Sequence, residues 1–182
     1  MRVISGRYRG LKLTPFEGEE IRPTADRVKE SVFNILYGYV AGARVLDLFC
    51  GSGSLGIECI SRGAKEVYFN DISPRSAAIA RGNLAKLKGA EGYSVTVGDY
   101  SSFLRKNKLK YDIIFIDPPY ASESGRGALE LIASLRSLAQ GGVAVYERDR
   151  PFEGDIEGLK KIDERKYGKT YVTFFSPDEE TI

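Results

Sequence analysis

The sequence predicts a doubly wound α/β domain with a mostly parallel sheet, carrying a short basic extension at its front. Three observations lead there. After Gly42, short β-branched runs alternate with helical segments, the rhythm of a parallel sheet with crossover helices. One run, Val45-Leu46-Asp47-Leu48-Phe49, leads straight into the glycine-rich stretch Cys50-Gly51-Ser52-Gly53-Ser54-Leu55-Gly56. Another, Ile113-Ile114-Phe115-Ile116, is apolar throughout and stops at Asp117-Pro118-Pro119-Tyr120; unbroken apolarity marks a strand covered on both faces.

The elements follow in order. Residues 2–13 hold two short alternating runs around Gly6 and Gly10, which predict a β-hairpin or strand pair with Tyr8 amid its arginines. Residues 15–23 read as a loop with acids. Thr24 reads as the N-cap of a helix over residues 25–39 whose buried face carries Val28, Val32, Ile35 and Tyr39. Predicted strands then cover residues 44–49, 66–71, 93–98, 112–117 and 143–147, with helices near 55–62, 74–88, 101–107 and 127–139. Residues 159–166 and 170–176 form a terminal hairpin across Tyr167-Gly168-Lys169. The organisation expected is an extension over residues 1–24 and one α/β domain over residues 25–182.

Composition excludes much chemistry. The chain has 182 residues, 27 Lys and Arg against 25 Asp and Glu, 42% hydrophobic positions and no histidine. Without an imidazole, Ser/His/Asp and Cys/His nucleophilic mechanisms and His-ligated zinc are ruled out. The two cysteines, Cys50 and Cys59, make neither a Cys-x-x-Cys redox site nor a four-thiolate metal site, and no metal is expected. No apolar run approaches the roughly 20 residues of a membrane span, and no signal-peptide pattern opens the chain. A cytoplasmic protein is the expectation. Net charge is only +2, yet residues 1–29 already carry a surplus of three cations, starting with Arg2, Arg7, Arg9 and Lys12.

Gly51-x-Gly53-x-x-Gly56 is a weak motif alone. Here a strand precedes it, a helix follows, and Asp71 lies 20 residues after Gly51 at the end of the next strand, where a carboxylate can accept from ribose hydroxyls. A nucleoside-type cofactor is therefore expected. Asp47 argues about which one. A dinucleotide would bring pyrophosphate to the helix N-terminus, where a neighbouring carboxylate is costly. S-adenosylmethionine has no phosphate and presents an ammonium and a sulfonium, so an acid at the end of the first strand is tolerable. Asp99 ends the third strand, either as an acceptor for an adenine amino group or as an N-cap for the next helix.

Asp117-Pro118-Pro119-Tyr120 fixes a rigid loop at the carboxyl edge of the sheet, where ligands of α/β folds bind. It suits methylation of an exocyclic amine on a nucleobase, a poor nucleophile because its lone pair is delocalised. The Asp117 carboxylate and the Pro118 carbonyl can hold the two N–H groups and direct the lone pair to the methyl, while Tyr120 stacks on the extruded base. The amine acidifies as it is alkylated, so positioning replaces a strong base. An ordinary turn with a surface tyrosine is the bland alternative.

Together, Arg2-Val3-Ile4-Ser5-Gly6 with Arg9-Gly10, Ile21-Arg22-Pro23-Thr24 through Arg27-Val28-Lys29-Glu30, Leu46 through Gly53, and Asp117-Pro118-Pro119-Tyr120 resemble the RsmD family over nearly the whole chain. These are bacterial 16S ribosomal RNA guanine-N2 methyltransferases. The resemblance implies a class I, Rossmann-like S-adenosylmethionine-dependent methyltransferase fold, with a seven-stranded, mostly parallel sheet whose last strand is antiparallel. It implies S-adenosylmethionine as donor and a guanine of 16S rRNA in the small subunit, or an assembly intermediate of it, as acceptor. By position, Asp47, Phe49, Gly51, Ser52 and Gly53 would form the cofactor loop, Asp71 the ribose acid, and Asp117, Pro118 and Tyr120 the amine-binding turn. Cys50 departs mildly, since alanine is frequent there, and both cysteines are read as small packing residues.

Arg7, Arg9, Arg22, Thr24 and Arg27 are the candidate substrate contacts. A guanidinium suits RNA phosphate as well as a cofactor carboxylate, and Arg and Tyr interleaved at strand spacing suit backbone and base contacts. Rival functions are an adenine-N6 methyltransferase on RNA or DNA, a nicotinamide oxidoreductase that leaves Asp-Pro-Pro-Tyr unexplained, and a non-catalytic RNA-binding assembly protein that keeps the cofactor pocket.

Overall fold

A computed structural model describes residues 1–16, 23–119 and 123–178. Along the chain lie α1 (Pro23–Ile35), β1 (Arg44–Asp47), α2 (Ser54–Ser61), β2 (Glu66–Asp71), α3 (Pro74–Leu84), β3 (Tyr93–Val97), α4 (Tyr100–Lys106), β4 (Tyr111–Ile116), α5 (Ser124–Ser134), β5 (Leu138–Arg148), β6 (Leu159–Tyr167) and β7 (Thr170–Pro177). Among the described residues one seven-stranded sheet has the order β3-β2-β1-β4-β5-β7-β6. Strands β1 to β5 pair in parallel, and β7 runs antiparallel between β5 and β6. The expected α/β architecture, including its antiparallel last strand, is met.

Alternation along the central strands divides the interior into two layers. Val45, Val67, Phe69, Ile113, Phe115, Val143 and Val145 face one way, against Val28, Val32, Phe33 and Leu36 of the α1 region, Ile57 of α2 and Ala80 and Leu84 of α3. Leu46, Leu48, Ile114, Ile116, Ala144 and Tyr146 face the other, against Leu104 of α4 and Ala128, Leu129 and Ile132 of α5. Central position explains why β4 is apolar from Ile113 to Ile116: these residues are at most 1% exposed.

Several boundaries depart from the sequence reading. α1 begins at Pro23, whose fixed φ and missing N–H suit a first helical position, so Thr24 lies in the first turn instead of capping it. The helix stops at Ile35 and a left-handed Gly38 turns the chain away. Tyr39 is consequently 45% exposed, and Phe33 and Leu36 hold the buried face in its place. Residues 127–139 were expected to be helical throughout, yet α5 ends at Ser134 and Leu138 already belongs to β5, which runs through Gly141 and Gly142. The N-terminal pairing is real but short: Arg2 faces Lys12, Val3 N donates to Leu11 O (3.0 Å), Gly10 N to Val3 O (2.9 Å) and Leu13 N to Met1 O (3.1 Å), and the intervening turn bonds elsewhere. Arg7 N and Tyr8 N donate to the carbonyl and hydroxyl of Ser61 (2.8 and 2.9 Å), and Ser61 Oγ donates to Ser5 O. Gly6, at φ 84°, allows that approach, since a Cβ there would collide with the Ser61 backbone.

The buried carboxylate of Glu58, in the middle of α2, secures the same segment. It accepts from Ile4 N (2.9 Å), Ser5 N (3.0 Å) and Arg62 Nε (2.8 Å), and Lys29 Nζ from α1 stands 3.5 Å away. Lys29 also donates to Arg2 O at 2.7 Å. Burial pushes the Lys29 ammonium below its usual range, and the Glu58 charge opposes that shift.

Candidate functional site

The site assembles at the carboxyl ends of β1, β2, β3 and β4. β1 leaves the sheet at Asp47, whose 2% exposed carboxylate accepts from Gly56 N at 3.0 Å and so closes the first turn of α2. Between them the loop bends sharply: Gly51 and Gly53 take φ values of 51° and 80°, and Gly53 N donates to Cys50 O at 2.6 Å. Positive φ is open to glycine at little cost. From β2, Asp71 accepts from Gly51 N (2.9 Å) and Ser73 N (2.8 Å), so the expected ribose acid also braces the loop. Phe49 is half-buried against Tyr100, ring centroids 5.5 Å apart.

Gly56 exists for packing. A Cβ there would overlap the Phe69 ring of β2. Gly56→Ala is expected to destabilise the protein by about 1–3 kcal/mol, the usual cost of overpacking, and to weaken cofactor binding through the displaced loop; thermal melts with and without S-adenosylmethionine check both.

Asp99 ends β3 as the N-cap of α4, accepting from Ser102 N (2.9 Å) and Ser101 Oγ (2.7 Å). The Ser101 hydroxyl, then the Ser102 amide, hold its carboxyl below the usual range. Ser52 is fully buried, and its carbonyl accepts from Asn83 Nδ2 of α3 at 2.9 Å. That amide also pairs both ways with the Thr14 backbone, at 2.8 Å each. Cys50 and Cys59 are buried free thiols, and burial pushes Cys59 well up, which suits packing and not nucleophilic attack.

β4 delivers the Asp-Pro-Pro turn. Asp47 is in register with Phe115, and Leu48 N donates to Phe115 O at 3.1 Å. Phe49 and Asp117 follow within two residues of these paired strand ends, on adjoining strands that lie about 5 Å apart. Asp117 is half-buried and Pro118 buried.

The fold thus brings Asp47, Phe49, Gly51, Ser52, Gly53, Asp71, Asp117 and Pro118 together, with Asp99 at the neighbouring strand end. Arg7 and Arg9 are elsewhere. Their turn is bonded to Ser61, the last residue of α2, one helix length of about 12 Å from the glycine loop. Tyr8 donates its hydroxyl to Lys88 O at 2.9 Å, and Arg7 lies over its ring. Arg27 is exposed on α1. Arg22, Tyr120 and the side chain of Thr24 fall outside the described residues.

Sequence reasoning missed Glu58, Asn83 and Tyr146. A lone acid in the apolar run Leu55–Ile60 signals the first. The other two look like ordinary helix and strand residues, and nothing local marks them.

The donor set at these strand ends is acidic: Asp47, Asp71, Asp99 and Asp117 surround the loop. It fits a cofactor with ribose hydroxyls and an ammonium, and not one led by phosphate. No described helix is long and apolar enough to cross a membrane.

Comparison with known proteins adds to the geometry. The family model described as Conserved hypothetical protein 95 matches residues 1–176. YlbH of Bacillus subtilis (strain 168), provisionally named an rRNA methyltransferase, is 37% identical over 183 residues, covering 96% of this chain and 98% of that protein. The ribosomal RNA small subunit methyltransferase D of Haemophilus influenzae is 36% identical over 156 residues, 83% of this chain and 81% of its own. The solved structure of yhhF from Escherichia coli, provisionally named a methyltransferase, superposes with a TM-score of 0.85 at 28% identity over 98% of both chains.

Proposed function

Since the chain belongs to the Conserved hypothetical protein 95 (RsmD) family, we propose that it methylates the exocyclic N2 amine of a guanine in 16S rRNA of the small ribosomal subunit, in the cytoplasm. Methyl transfer to rRNA from S-adenosylmethionine is the activity of the family; guanine, its N2 atom and the small subunit are the finer reading. The observation that carries it is the register of β1 and β4, which sets the glycine loop and the Asp-Pro-Pro turn side by side.

S-adenosylmethionine, when bound, supplies an electrophilic methyl on a sulfonium. The Gly51–Gly53 loop and Phe49 would cradle it, Asp71 would accept from its ribose hydroxyls, and Asp99 would meet its adenine edge. The Asp117 carboxylate and Pro118 carbonyl then accept the two N–H bonds of the target amine, orient its lone pair toward the methyl and stabilise the positive charge that grows on nitrogen. One of those protons passes to water once the nitrogen has become cationic and strongly acidic, so no histidine is needed. Tyr120 stacks on the extruded base. Residues 1–24 serve as an RNA-contacting extension to the methyltransferase domain of residues 25–182, with Arg7, Arg9, Arg22, Thr24 and Arg27 contributing substrate contacts.

The test is transfer of labelled methyl to small subunits from cells lacking the protein, followed by nuclease digestion. N2-methylguanosine is expected. N6-methyladenosine would keep the mechanism and replace the target, and no transfer to any RNA despite cofactor binding would leave a non-catalytic binder.

A further inference from the structure

A cavity of about 300 Å³ opens beside the Asp-Pro-Pro turn, away from the glycine loop. Pro118 and Pro119 form one wall, and Tyr146, Arg148 and Arg150 from the end of β5 and the following loop form the other. Tyr146 is only 5% exposed, its ring is seated against Gly125 at the start of α5, and its hydroxyl meets no hydrogen-bond partner among the described residues. Burial pushes that hydroxyl above its usual range, so it stays protonated and can donate. The Arg148 guanidinium carbon stands 5.5 and 5.7 Å from the ring centroids of Tyr146 and Phe152.

The cavity's other charges are largely committed. Arg126 is engaged by Glu130 and by the carbonyls of Glu153 and Asp155. Arg150 pairs with Glu123 at 3.4 Å. Glu147 also lines the cavity, but strand alternation sends its side chain to the same face as Val145, opposite Tyr146 and Arg148. Asp149 and Glu153, both exposed at the rim, are the remaining acids. Arg148 meets no carboxylate among the described residues. The cavity therefore offers an anion one cation and one neutral donor.

We propose that this cavity seats an RNA phosphodiester next to the target nucleotide, held by the Arg148 guanidinium and the Tyr146 hydroxyl. The inference rests on the RNA-methylating reading above. Pro118 belongs both to the amine-binding turn and to the cavity wall, so a group bound here is the backbone flanking the extruded base. A planar guanidinium fixed over aromatic rings is pre-organised for bidentate phosphate contact.

Binding to small subunits across a salt series tests it. Arg148→Met should weaken binding about tenfold, as loss of a charged hydrogen bond does, and reduce the slope of log affinity against log salt by about 0.7, the value for one phosphate contact on a single strand. Arg148→Lys should restore the slope. Tyr146→Phe should weaken binding without changing the slope, because the hydroxyl carries no charge. Lys65→Met, at the opposite edge of the sheet, is the control. Unchanged melting and S-adenosylmethionine affinity would separate these effects from misfolding. Wild-type affinity and slope in both Arg148→Met and Tyr146→Phe would overturn the proposal, even with methyl transfer intact. An Arg148-dependent slope in a protein that transfers no methyl would sustain the phosphate site and remove the catalytic reading instead.

Discussion

Asp117→Ala is expected to lower kcat for methyl transfer by about 10²–10³-fold, the range seen when one pre-organised polar group at a developing charge is removed. The affinity for S-adenosylmethionine should stay within about threefold. The separation follows from the strand ends: the loop that would hold the cofactor is braced by Asp47 and Asp71, whereas Asp117 directly follows β4 and, in the proposed mechanism, holds the amine. Asp117→Asn keeps an acceptor oxygen but loses the charge, and should fall between wild type and alanine. Single-turnover rates with cofactor pre-bound, alongside calorimetric cofactor titration, give the two numbers. Equal loss of binding and turnover would place Asp117 in the cofactor site and sink the amine-holding role.

Glu58→Ala should cost about 3–5 kcal/mol, because it strips the partner from a buried ammonium and from two backbone amides at once. In a chain of this length that corresponds to a fall in Tm of roughly 6–20 °C. The Lys29 ammonium, with a 6% exposed side chain, would be left facing an uncharged methyl. Ile4 N and Ser5 N would lose their acceptor, so hydrogen exchange at residues 4–8 should accelerate well before the sheet opens. Glu58→Gln, which keeps one acceptor oxygen, should lose less. A melt unchanged within a degree for the alanine variant would mean that the carboxylate cluster is dispensable.

Much of this was legible in the sequence, for physical reasons. The sheet could be read because parallel strands buried on both faces must be apolar, and Gly51, Gly53 and the paired prolines mark where the chain leaves it. The partners of each acid could not be read. Spacing places Asp47 beside a cationic cofactor, but it does not reveal that the same carboxylate closes the first turn of α2, a tertiary outcome. Asp99 satisfied two readings and the cap is visible in the fold, with the adenine contact still part of the proposal. Helix ends were least legible: Tyr39 fits the helical period of Val28 and Val32, but a left-handed Gly38 intervenes. Arg7 and Arg9 advertised a binding strand by composition, whereas their location depends on Ser61, more than fifty residues away.

The Asn83 bridge has a consequence for synthesis. Residue 14 finds its partner only 69 residues later in the chain, which at ordinary translation rates is a delay of roughly 3–14 s. During that interval Val3 and Leu13, destined for the interior, have no complete core to enter, and their segment waits on α3 before it can dock. Shortened nascent chains ending before α3 should therefore leave the N-terminus open to protease, while chains carrying α3 beyond the exit tunnel can begin to protect it.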